Sequence, residues 1–146
     1  MSNLTGAASG FCRVALVAAI GMVATSAHAA KCLYVSSYHH GYEWSDGVER
    51  GVRSVLDGRC ELRQFDMDTK RRKSDEEKRE AALRAKRLIE EWQPDVVITS
   101  DDNAAKYLIK PYFKDASLPF VFSGVNWMAD EYGFPYSNVT GIVEVA

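Results

Sequence analysis

Four consecutive residues, Val96-Val97-Ile98-Thr99, restrict the possible folds more than any other part of this chain. The run is β-branched throughout, with Gln93-Pro94-Asp95 before it and Ser100-Asp101-Asp102-Asn103 after it. A strand that is apolar on both faces needs cover on both faces, the condition met by a parallel sheet between layers of helix. Leu33-Tyr34-Val35 and Phe120-Val121-Phe122 are short apolar runs of the same kind. Glu61 to Met67 alternates polar and apolar residues, which predicts a strand near a sheet edge with one wet face. Val139 to Val145 reads as a last strand.

Helical patterns separate these strands. Trp44, Val48, Val52, Val55 and Leu56 recur at three and four residues, and Asp57-Gly58 closes the pattern with a glycine suited to a left-handed cap. Ser74-Asp75-Glu76-Glu77 has the form of a capping box. The helix it opens is expected to run to about Trp92, with Ala81, Ala85, Leu88, Ile89 and Trp92 on one face. A third helix is expected from about Ala104 to Tyr112, capped by Asp102 or Asn103, and a short helical turn near Met128 to Tyr132. Strand and helix alternate, so the expected class is α/β. It is a flavodoxin-like parallel sheet of order 2-1-3-4-5, with helices on both faces and right-handed crossovers.

Residues 1–30 have the layout of an export signal. Arg13 is the one charged residue there; Val14 to Val23 is apolar, and small residues with an Ala-x-Ala site at Ala27 and Ala29 follow. The apolar core is shorter than the roughly 20 residues a membrane span needs, so cleavage is expected rather than a retained anchor. The expected mature domain, residues 31–146, holds all 20 acids and 17 of the 18 bases, a formal charge of −3. That balance gives no reason to expect nucleic acid as a partner. Of the three cysteines, Cys12 leaves with the leader. Cys32 and Cys60 remain, and in an oxidising compartment this pair is expected to form a disulfide; two buried thiols are the alternative. Lys31 sits where a lipoprotein signal wants a small residue, which argues against lipid attachment at Cys32.

In an open parallel sheet, ligands bind beyond the carboxyl ends of the strands. Four segments are expected there: Ser36 to Trp44, Asp66 to Lys70, Ser100 to Asn103 and Ser123 to Trp127. They are rich in hydroxyls, acids, amides and aromatics, the lining of a small-molecule pocket. Within them Asp101 is the better ligand candidate, since Asp102 or Asn103 suits the helix cap, while Trp44 is either a pocket residue or, from its spacing, a core residue of its helix. No Gly-x-Ser-x-Gly elbow and no glycine-rich phosphate loop occurs, so no catalytic residues and no cofactor are expected. His39, His40 and Asp101 lack metal-ligand spacing, and no metal site is expected. Asn138-Val139-Thr140 matches a glycosylation sequon, a weak signal.

Leu33-Tyr34-Val35-Ser36-Ser37-Tyr38-His39, Tyr42-Glu43-Trp44-Ser45-Asp46-Gly47, Pro94-Asp95-Val96-Val97-Ile98, Leu118-Pro119-Phe120-Val121-Phe122 and Asn138-Val139-Thr140-Gly141 follow one another in a familiar order. Together they resemble the substrate-binding proteins of ABC transporters of the type I periplasmic-binding fold, in the branch related to tryptophan and tyrosine uptake. The resemblance covers essentially all of residues 31–146. It implies two lobes closing on a ligand, of which this sequence carries the first, so the second is expected to be absent and the product truncated. It places ligand contacts at Ser100, Asp101 and Asp102 and at Ser123, Gly124 and Asn126. Ser37, Tyr38, Tyr42 and Trp127 complete the candidate set, with Asp101 suited to an ammonium and the aromatics to an apolar or cationic portion. The implied function is a periplasmic solute-binding component for an amino acid or related small amine, with ABC permease subunits as partners. A ligand-sensing extracytoplasmic domain of a signalling system is the alternative.

Overall fold

The computed structural model describes residues 29–126 and 129–145. Apart from Ala29 and Ala30 the expected leader lies outside them, as does the candidate Trp127. The chain alternates as the sequence predicts: β1 (Lys31–Ser36), α1 (Glu43–Leu56), β2 (Glu61–Asp66), α2 (Asp75–Trp92) and β3 (Val96–Ser100). A single helical stretch follows, made of α3 (Asp102–Ala104), a π-helical segment (Ala105–Ile109) and α4 (Lys110–Tyr112). Then come β4 (Phe120–Asn126), a 3-10 turn (Ala129–Tyr132) and β5 (Val139–Glu144). The five strands form one parallel sheet in the order β2-β1-β3-β4-β5. This is the expected flavodoxin-like α/β fold.

Local chemistry explains the boundaries. The Ser74 hydroxyl accepts from the Glu77 amide at 3.2 Å, and the Ser74 amide donates to the Glu77 carboxylate at 3.1 Å, so the capping box forms at the start of α2. Gln93 takes a left-handed conformation that ends the helix, and Pro94 prevents its resumption. Beyond α1, Asp57 is the C-cap and Gly58, at φ +77, turns the chain toward β2.

The two faces of the sheet are packed differently. Leu33, Val35, Val97, Phe120 and Phe122 project to one face. Ala81, Ala82, Ala85, Ile89 and Trp92 of α2, with Ala104, Ala105, Leu108, Ile109 and Phe113, close over it. The alanines let α2 approach the π-helical segment closely. On the opposite face α1 lies over β1 and β2, where Glu49 and Arg53 hydrogen-bond to Gln64. Farther along that face Ile98 is half-buried, Val121 is exposed, and Ile142 is 71% exposed. The expectation that β3 is buried on both faces is therefore corrected. Val97 and Thr99 are fully enclosed, but Val96 and Ile98, on the opposite face, are only half-buried.

Cys32 and Cys60 are disulfide-bonded, their Cα atoms 6.0 Å apart across 28 residues of sequence. A loop of that length gives an upper estimate of about 3 to 4 kcal/mol from chain entropy. The bridge joins the amino ends of two adjacent parallel strands, away from the end where their loops converge.

Candidate functional site

At the carboxyl end of the sheet, β1 leads into the loop bearing Tyr38 and Tyr42, and Trp44 sits in the first turn of α1. β3 leads into Asp101, and β4 and β5 end at the paired residues Asn126 and Glu144. Tyr38, Tyr42, Trp44, Asp101, Asn126 and Glu144 line a recess of about 240 Å³. The rings meet edge to face, with Tyr38 5.2 Å from Tyr42 and 5.7 Å from Trp44, so they form a connected aromatic wall.

Asp101 is the most constrained residue of the site. Its backbone, at φ 69 and ψ 169, occupies a region open in practice to glycine alone, at a cost of about 1–3 kcal/mol. Surrounding bonds hold it there. Its amide donates to the Ser123 carbonyl at 2.9 Å, and its carboxylate accepts from the Tyr38 hydroxyl at 2.6 Å and the Asn103 amide at 3.3 Å. The cap expected from Asp102 or Asn103 is thus supplied by Asp101. Asp101 is only 4% exposed, and burial pushes its carboxyl above the usual range, partly offset by the Tyr38 hydrogen bond. Burial, then the bond to Asp101, pushes the Tyr38 phenol up, which keeps it a donor at neutral pH.

Asp102 serves the architecture instead. It accepts from the Asn126 amide at 3.2 Å, from the Asn126 side chain, and from the Tyr132 hydroxyl at 2.8 Å. These bonds tie the end of β4 to the start of the helical stretch. Ser37 and Ser100 lie beneath the recess. Ser37 Oγ donates to the Ser100 carbonyl at 2.6 Å and accepts from the Ala104 amide at 2.8 Å, while Ser100 Oγ meets the Tyr34 hydroxyl at 2.9 Å. Gly124, at φ +63, leaves room for Trp44; a Cβ there would stand 2.5 Å from the indole ring.

The sequence-derived set is therefore divided. Tyr38, Tyr42, Asp101 and Asn126 line the recess, Gly124 admits its wall, and Ser37, Ser100, Asp102 and Ser123 brace it from behind. Trp44 and Glu144 also line it, which decides for the pocket between the two roles that the sequence leaves open for Trp44. Glu144 reaches the site through its register opposite Asn126. That signal is available only once β5 is placed beside β4.

Two other arrangements have less chemical content. His39 faces Asp68 at 3.2 Å. His40, Asp46 and Glu49 bring donor atoms within 4.8 Å of one another, but Arg53 pairs with Glu49 at 2.7 Å and His40 stands largely in solvent. An open recess of about 470 Å³, lined by residues including Gln93, Pro94 and Leu118, lies at the amino ends of β3 and β4. An open parallel sheet does not present ligands at that end.

No family model matches the chain, and no curated protein matches it in sequence. Among solved structures, it is similar to the ABC domain from Streptococcus pneumoniae in complex with L-Trp, at 16% identity and a TM-score of 0.53. The match covers 79% of this chain and 38% of the other. The likeness supports the fold alone, a five-stranded parallel α/β sheet of flavodoxin-like order. Among the described residues, no helix is long and apolar enough to cross a membrane.

Proposed function

We propose that the chain is the extracytoplasmic solute-binding component of an ABC-type uptake transporter, acting on an amino acid or a related small amine. The reading is of a binding protein, not an enzyme, that is exported to the periplasm after loss of its leader and meets permease subunits there. One observation carries it. The strand ends build a recess with an aromatic wall and a buried carboxylate, and that carboxylate is held in a backbone conformation that costs stability. Strain kept at one place by surrounding hydrogen bonds is characteristic of a ligand site. The disulfide fits an oxidising compartment, and the L-Trp complex of the structural neighbour supports the choice of ligand class.

The recess is open, so it cannot bury the 70–90% of a ligand typical of tight sites, and affinity is expected to be modest. Calorimetry of the exported chain against amino acids and amines tests the reading. Asp101→Ala is expected to weaken binding while Glu80→Ala, on the exposed face of α2, leaves it unchanged; equal effects would remove Asp101 from the site. N-terminal sequencing of exported material is expected to begin at Ala30 or Lys31.

A further inference from the structure

We infer that this recess selects organic cations that carry no carboxylate, such as primary or quaternary amines, over zwitterionic amino acids. The inference rests on the solute-binding reading and narrows it.

The polar lining is one-sided. Asp101 and Glu144 contribute carboxylates, and among the described residues no lysine, arginine or histidine lines the recess. None of the ion pairs among the described residues engages either acid. An ionised Asp101 enclosed by protein gains most from a cation brought within reach.

A ligand carboxylate meets the opposite situation. The start of a helix can bind anions through its free amides, but the Asn103 amide donates to Asp101 and the Ala104 amide to Ser37. The Asn126 amide and side chain both donate to Asp102. These three backbone donors are thus already engaged, two of them by aspartates, which weakens the recess as a carboxylate receptor.

The aromatic wall completes the case. The Lys70 ammonium lies 4.1 Å from the Tyr38 ring centre and 5.0 Å from that of Tyr42. These rings therefore already hold a cation on their faces, the interaction by which aromatic walls take up alkylammonium groups. For an incoming amine Lys70 is a competitor or a repelling charge; for an incoming carboxylate it would be a partner. Removing its charge has opposite consequences for the two ligand classes.

Three probes with one ring system decide between them: tryptamine, L-tryptophan, which adds a carboxylate, and tryptophol, which replaces the amine with a hydroxyl. Each is titrated into the full exported chain by NMR to about 20 mM, a range that reaches millimolar dissociation constants. Tryptamine is expected to bind about tenfold more tightly than either of the others. Asp101→Asn, which keeps the shape and the hydrogen bond from Tyr38, is expected to cancel most of that preference and leave tryptophol unchanged. Lys70→Gln is expected to tighten tryptamine. L-tryptophan binding as tightly as tryptamine, or binding that Lys70→Gln weakens, would overturn the cation inference and leave the solute-binding reading in place. No shift with any probe would overturn both.

Discussion

The α2-covered face of the sheet and the mouth at its carboxyl end obey different rules within a few residues of each other. On the face, Leu33, Val35, Val97, Phe120 and three alanines of α2 are buried with ordinary backbones and apolar neighbours. At the mouth, Asp101 and Gly124 have positive φ, an acid is buried with no ion pair among the described residues, and serine hydroxyls are spent bracing the chain. Every substitution on the face therefore costs stability, whereas at the mouth some changes relieve a cost that the fold already carries. A strained non-glycine backbone and a buried acid at the same place in an otherwise consistent fold are what a functional site produces.

The largest test is on the face. Phe120→Ala removes a ring packed 4.9 Å from Phe113 and is expected to cost about 3–5 kcal/mol in urea unfolding. A loss under about 1 kcal/mol would mean that this layer is not close-packed.

Gly124→Ala is next. It places a side chain at φ +63 and against the Trp44 indole, at an expected cost of about 1–2 kcal/mol. The ring must swing away, so ligand binding is expected to fall with stability.

Asp101→Asn has the opposite sign for stability. Burial raises the folded-state pKa of Asp101 above its unfolded value. Between these two values the folded state binds more protons than the unfolded one. The contribution of this group to stability therefore declines as pH rises from about 3.9 through the folded pKa, and it stays low above that. The asparagine variant is expected to melt higher than the parent at pH 7, to lose that segment of the pH profile, and to bind amines less well. A lower melting temperature at pH 7 would show that the carboxylate is compensated in the folded protein.

The smallest effect is expected away from both regions. Val55, on α1, is 55% exposed despite its place in the apolar pattern, and Val55→Ser is expected to change stability by no more than about 0.5 kcal/mol.

The fold was highly legible. The Val96–Thr99 run, the Ser74–Glu77 box and the strand-helix alternation each encode a local interaction that survives in the structure. The apolar periodicity of α1 gave the helix but not its degree of burial, because periodicity reports which side faces the sheet, not how much of the sheet lies opposite. The mouth was legible as a set of segments and as Tyr38, Tyr42, Asp101 and Asn126. The roles of Asp101 and Asp102 were less readable, since adjacent acids before a helix look alike until the backbone decides which turns back to cap it. Trp44 and Glu144 depend on long-range geometry, the glycine opposite one and the β5 register of the other.

The strand order has a kinetic consequence. Each ladder joins segments separated by a whole helix or a long connection, and β1 must pair with both β2 and the distant β3. Such non-local closure places the protein toward the slow side of the correlation between topology and folding rate. Until β3 arrives, the inner edge of β1 offers unpaired amides and carbonyls beside Leu33 and Val35, a template for strands of other chains. Refolding yield should therefore fall as protein concentration rises, even under conditions where the native state is stable.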